Sequence, residues 1–363
     1  MPRSSSSNTM LNVPADLSPT GLPDDAHRVF GARVTLQRLA LLKQEIPGVQ
    51  KGRDIEAVHR MRVASRRLRT ALRLFEECCP PRHGKTWQRE IRRVTRSLGD
   101  ARDADVQILF VEGELRRCRE PGFRRGLARL LLRLRQRRSD LQSRVVKRVA
   151  RLAGGGVIEQ MERDLSPLAG DSGKPPAPSR TLNVRAEGLI QARLEELLAY
   201  EPFVARPACA VELHRMRIAA KRLRYCLEVF DPVFGGRLEG TIAALKHIQD
   251  SLGLIHDCDV WQELLPRFLA KEQRRARDYF GNDRPYRRLL PGLSWFERRV
   301  GALRHRTHGE FAAFWESTRR GRLWQNLRRM AGSIARQAEA VKTPPSRPAT
   351  PVKTTPPANT VRQ

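Results

Sequence analysis

Residues 59–69 read HRMRVASRRLR, and residues 214–224 read HRMRIAAKRLR. Eight of these eleven positions are identical, and the other three pair Val with Ile, Ser with Ala and Arg with Lys. The offset of 155 also aligns Arg38-Leu39 with Arg193-Leu194 and Phe75 with Phe230. A second pair follows at an offset of 154, SLGDARDADV at 97–106 and SLGLIHDCDV at 251–260. Two matches in the same order at nearly the same offset indicate an internal duplication. The Pro-, Gly- and Ser-rich stretch within 166–182 separates the copies.

Each copy is rich in Leu, Ala, Arg, Glu and Gln, all good helix formers, and lacks sustained strand alternation. The pattern predicts helices over 25–46, 54–79, 85–98, 103–119 and 122–152 in the first copy. The second copy has predicted helices over 183–199, 208–231, 238–252, 257–280 and 293–335, the last broken near Gly309 or Gly321. The expected organisation is a disordered segment 1–24, a helical repeat 25–165, a linker 166–182, a second repeat 183–337 and a disordered Pro/Thr-rich tail 338–363. The fold class is all-α, two antiparallel helical bundles.

At about 100° per residue, His59, Arg62, Arg66, Arg69 and Arg73 share one stripe roughly 80° wide. Met61, Ala64, Leu68, Leu72 and Phe75 lie opposite. His214, Arg217, Lys221 and Arg224 repeat the plan before Met216, Leu223, Leu227 and Phe230, but Glu228 stands where the first copy has Arg73. Like charges at i, i+3 and i, i+4 destabilise a helix by ~0.2–0.5 kcal/mol per pair. An acid-free stripe built twice points to a polyanion partner.

Composition agrees. The 363-residue chain has 69 Lys plus Arg against 39 Asp plus Glu, a formal charge of +30. Residues 1–26 carry −2 and 341–363 carry +4, so the surplus lies on the folded body rather than on a basic arm. There is no apolar signal segment and no transmembrane run, and the six cysteines form no C-x-x-C pair, as expected of reduced thiols in a cytoplasmic protein. No helix-turn-helix, zinc-finger or RNA-recognition signature is present, nor a phosphate-binding Gly-rich loop. Nucleic acid would bind only nonspecifically. Asp103/Asp105 and Asp257/Asp259 have D-x-D spacing, but i and i+2 diverge on a helix, and the first Asp of each pair reads as a helix cap. The alternative has these carboxylates orienting Arg side chains. No metal or cofactor is assigned. His305 and His308, at i, i+3, read as solvent-exposed.

The two elements resemble the CHAD family, the conserved-histidine α-helical domains. H-x-x-R-[VI]-x-x-[RK]-[RK]-L-R is met by His59–Arg69 and by His214–Arg224. L-[KR]-x-[LIV]-x-x-x-L-G is met by Leu245–Gly253 and, with Ile91 in the leading place, by Ile91–Gly99, followed by Arg102–Val106 and His256–Val260. The resemblance, over roughly 25–335, implies two bundles related by a pseudo-two-fold axis with a basic cavity between them that binds inorganic polyphosphate, and location on polyphosphate granules. Carried over, it implies as ligands His59, Arg62, Arg66, Arg69, His214, Arg217, Lys221 and Arg224, and next Arg92 and Lys246. Arg73 extends the first stripe. Arg67 and Arg222 match the motif but point off the stripe, toward either phosphate or a salt bridge. Family members often accompany a CYTH triphosphatase domain, whose E-x-E-x-K motif is absent, so the expectation is a binding protein and not an enzyme. A nucleic-acid-binding helical protein and an enzyme acting on phosphoanhydrides are the alternatives.

Overall fold

The computed structural model describes residues 25–52, 55–170 and 179–340. Among them the protein is all-α, with no strand. The first half contains α1 (Asp25–Gln44), α2 (Ile46–Lys51), α3 (Ile55–Leu74), α4 (Gly84–Arg117), α5 (Pro121–Ala153) and α6 (Val157–Ala169). The second contains α7 (Arg180–Leu198), α8 (Ala210–Phe230), α9 (Glu239–Phe280), α10 (Arg284–Arg287), α11 (Leu290–Arg320) and α12 (Leu323–Ala340). Local chemistry sets several ends. The Ser179 hydroxyl accepts from the Leu182 N–H at 3.0 Å to cap α7. Pro121 occupies the first turn of α5, where no N–H is needed. Gly281 closes α9 in the left-handed region at φ 68°.

Packing follows one scheme twice. α3 lies against α1 and α4, as α8 lies against α7 and α9; α6 covers α1, as α12 covers α7. The apolar side of α3 is enclosed, with Met61, Leu68, Leu72 and, just beyond its end, Phe75 at 0 % exposure, and so are Met216, Leu223, Leu227 and Phe230 of α8. The halves meet at the ends of these helices, where Phe75 touches its counterpart Phe230 (ring centroids 6.1 Å) and Phe30 stacks on Phe230 at 6.2 Å.

The structure corrects several expected boundaries. The helices expected over 85–98 and 103–119 are one helix, α4, and those over 238–252 and 257–280 are one helix, α9. A glycine within a helix costs only about 1 kcal/mol, and packing outweighs it: Leu98, Ala101, Leu252 and Ile255 are buried on either side of Gly99 and Gly253. Asp103 and Asp257 therefore lie mid-helix and cap nothing. These longer helices add a third apolar core, shared between the halves, where Val111 of α4, Leu127 and Leu130 of α5, Trp261 and Leu265 of α9 and Phe296 of α11 pack together. α6 was not foreseen, and with α7 it makes 166–169 and 180–182 of the expected linker helical. Helix α12 likewise takes in 338–340. The remaining expectations for 1–24, the linker centre 171–178 and the tail from 341 lie outside the described residues. The break in the last helix falls at Gly321, not at Gly309. All six cysteines are free. No described helix is long and apolar enough to cross a membrane.

α5 and α11 cross very closely. A Cβ on Gly292 would sit 1.9 Å from the Phe123 carbonyl oxygen, whereas one on Gly309, in the same helix, would meet nothing within 4 Å. Gly292→Ala is expected to destabilise the fold by ~1–3 kcal/mol through overpacking. Gly309→Ala is expected to stabilise it by ~0.5–1 kcal/mol through helix propensity. Chemical denaturation of the two variants checks both signs.

Candidate functional site

With its apolar side fixed in the core, α3 must turn its cationic stripe outward, and α8 does the same. Because α3 and α8 pack on each other, the stripes border one cavity of about 550 Å³. Arg66, Arg69 and Arg73 line it from α3; His214, Arg217, Lys221 and Arg222 line it from α8. Arg193 of α7 completes the set, and no carboxylate is among the lining residues. Among the described residues Arg66, Arg69, Arg73, Arg217 and Lys221 form no ion pair.

The remaining expected residues take different places. Arg62 lies at the α3–α4 contact, held by Asp103 at 3.1 Å. Its Nε is buried without a partner, as is that of Arg217. Each Nε faces a motif glycine: a Cβ on Gly99 would lie 3.9 Å from Arg62 Nε, and one on Gly253 would lie 3.6 Å from Arg217 Nε. The two sequence elements of each half thus meet side by side. His59 is half-buried, with its Nδ1 unpartnered. Arg224 is engaged: it donates to Glu228 at 2.8 Å and to Gln249 at 3.1 Å, and lies 4.9 Å from the Tyr225 ring centroid. Arg67 donates across the halves to the same Glu228, at 3.2 Å. Arg222 pairs with Glu196 while still lining the cavity. Arg92 is exposed and lines a second cavity, of about 220 Å³, which shares Arg69 and Arg73 with the first. Lys246 is exposed on α9 and lines neither.

Burial, and after it the crowding of like charges, governs the electrostatics. Burial, followed by Arg217, Arg66 and Arg62, pushes the Lys221 ammonium down to about 6. Burial and then Arg66 hold Arg62 below its ordinary value, and burial holds Arg217 down likewise. The His59 imidazole is lowered by burial and then by Arg102. In the second half, His256 stands where the first has Arg102. Its Nδ1 lies 3.1 Å from Nδ1 of His214, and burial, then His214, Arg217 and Lys221, push it to about 4. The free cavity is therefore short of anions and holds protons weakly.

The D-x-D carboxylates act separately. Asp103 holds Arg62, while Asp105, buried at 2 % exposure, takes Arg138 of α5 at 2.6 Å. In the second half Asp257 lies near Arg217, and Asp259 takes Arg304 of α11. They fit the arginine-orienting alternative rather than a shared cation. His27, Glu77 and Cys78 lie within 4.8 Å of one another. Arg185 also holds Glu77, at 2.8 Å, and burial pushes the Cys78 thiol to about 12, which opposes thiolate ligation. His308 is buried, contrary to expectation, while His305 is exposed.

Arg193, Lys85, Arg89 and His256 were not foreseen as site residues. Arg193 carried a signal in its alignment with Arg38, which is itself half-buried beside Arg67 and Glu228. Lys85, Arg89 and Arg92 recur at helical spacing along α4.

Residues 33–266 match the CHAD domain family model. The fold is similar to the crystal structure of the CHAD domain from the plant Ricinus communis, at 26% identity and a TM-score of 0.53 over 77% of this chain and 91% of that one. It is also similar to PptA from Streptomyces chartreusis, at 14% identity and a TM-score of 0.53 over 80% of this chain and 99% of that one, a likeness of fold alone. No curated protein matches the sequence. The family match ends inside α9, short of the expected 335, yet it spans well over half of the chain and holds both copies of both elements; the chain belongs to the CHAD domain family.

Proposed function

We propose that the chain binds inorganic polyphosphate, held as a linear polyanion in the cavity between α3 and α8, and that it does not cleave it. The observation that carries this reading is a cavity lined by guanidinium, ammonium and imidazole groups from both helices, with no lining carboxylate. Phosphate oxygens accept charge-assisted hydrogen bonds, often bidentate from Arg, and would supply counter-charge for the lining Arg66, Arg69, Arg73, Arg217 and Lys221. A duplex, whose major groove alone is about 12 Å wide, is out of scale with this space. Single-stranded nucleic acid relies on aromatic stacking platforms, and the one lining aromatic, Tyr225, already carries Arg224. No lining carboxylate is available to hold Mg²⁺ against the phosphates, which favours binding over hydrolysis. Polyphosphate granules in the cytoplasm are the location that fits this ligand, with nucleic acid a nonspecific competitor.

Arg66→Ala combined with Arg217→Ala, two lining residues, is expected to weaken polyphosphate binding by more than tenfold, since each charge-assisted contact contributes about 1.5–3 kcal/mol. Helical circular dichroism should be retained. Unchanged affinity would refute the cavity assignment. Duplex DNA at equal phosphate concentration should fail to displace the polyphosphate. Incubation of the wild type with polyphosphate and Mg²⁺ should release no phosphate; release abolished by His59→Ala would establish an enzyme instead.

Binding should also take up protons. Lys221, down at about 6 in the free protein, is mostly neutral at pH 8, and phosphate favours its charged form. Affinity is therefore expected to rise as pH falls from 8 towards 6 and then to level off as the free ammonium becomes protonated too. Calorimetry in two buffers of different ionisation enthalpy reads the uptake directly, and Lys221→Arg should reduce it.

A further inference from the structure

The two halves differ in charge beside the main cavity. In the first half Arg69 and Arg73 border both the main cavity and the smaller one of about 220 Å³, so the two spaces adjoin across these side chains. Lys85, Arg89 and Arg92 of α4 line the far side of the smaller cavity with Gln88, and no acid is among its lining residues. Lys85 forms no ion pair among the described residues; Arg89 donates to the Thr86 hydroxyl at 3.5 Å, and its ion pair, with Glu90 at 3.9 Å, is to an acid that Arg93 holds more closely. Lys85 sits in the first turn of α4, where a cation is disfavoured by the helix dipole.

The counterpart surface has lost this surplus of positive charge. By the offsets that align the repeats, Arg73, Lys85 and Arg89 correspond to Glu228, Glu239 and Ala243, while Arg69 and Arg92 correspond to Arg224 and Lys246. Five cations thus have two acids, an alanine and two cations as counterparts. Of the second-half cations that remain, Arg224 is tied to Glu228, and Lys246 stands exposed away from both cavities. A solvated basic surface would have no reason to adjoin the cavity on one side and be neutralised on the other.

We propose that the smaller cavity is a second phosphate subsite, formed by Lys85, Arg89 and Arg92 with Arg69 and Arg73, through which a long polyphosphate leaves the main cavity on the first-half side only. The inference rests on the polyphosphate reading above and adds a direction to it. A ligand confined to the main cavity does not reach Lys85 or Arg89; a longer chain does.

The test uses the full chain with tripolyphosphate and long-chain polyphosphate as probes. It compares the wild type with Lys85→Ala/Arg89→Ala and with a matched charge control, Lys271→Ala/Arg274→Ala, on an exposed stretch of α9. The subsite variant is expected to lose about tenfold in long-chain affinity and to lower the log–log salt slope by about 1.4, two contacts at ~0.7 each. Its tripolyphosphate affinity should stay within about twofold of wild type, and the control should match wild type with both probes. Long-chain affinity unchanged in the subsite variant, or an equal loss in the control, overturns the subsite while leaving the main cavity intact. Failure of the wild type itself to bind long-chain polyphosphate overturns the reading beneath it.

Discussion

Repulsion between guanidinium groups held close together, partly out of water and without carboxylates to neutralise them, is the constraint on which this structure turns. Left alone, such a cluster would drive α3 and α8 apart. They are retained by what lies behind them: Met61, Leu68 and Leu72 on one helix and Met216, Leu223 and Leu227 on the other are wholly enclosed. Burying side chains of this kind is worth ~1.5–3 kcal/mol each, several times the cost of a like-charge pair on a helix surface. The apolar side of each helix thus stabilises a cationic side that would not hold its position by itself. The acids that do approach lie beside the stripe, as Asp103 does to Arg62, or at its end, as Glu228 does to Arg67 and Arg224.

The cavity is also rigidly framed. Phe75 and Phe230 join the halves at one place, and the core shared by α4, α5, α9 and α11 joins them at another. Since α4 and α9 run unbroken from the cavity into that core, the arginines they flank are positioned before any ligand arrives. Preorganisation of this kind lowers the ordering cost of binding. It matters most for Arg and Lys, whose side chains lose the most rotamer freedom when fixed.

Much of this was legible in the residues themselves. The repeated HRMR segments carried the all-helical class, the division into halves and the phase of each stripe, because an apolar arc opposite a charged one admits a single orientation against a core. What stayed hidden depends on neighbours that a single helix cannot report. Gly99 and Gly253 look like helix breaks, and only packing on either side shows that they are not. Arg224 has the phase of a ligand, yet Glu228, four residues on, claims it. Lys85 and Arg89 lie on a different helix from the motif, and their relevance appears only once α4 is placed beside α3. Lys246 matches the pattern in type but meets neither cavity, and Glu239, Ala243 and Asp250 stand around it where Lys85, Arg89 and Arg96 stand around Arg92.

The two motif helices lie on one polypeptide, and this has a consequence for how their surfaces can change. An assembly of two identical subunits around a two-fold axis presents every residue twice, so no substitution can mark one side alone. With both halves encoded in tandem, a mutation falls on one side and leaves the other untouched. Arg102 against His256, and Arg73 against Glu228, are differences that only such an arrangement permits. For the polyphosphate proposed above, which has no chemical head or tail, such unlike halves would set a preferred orientation.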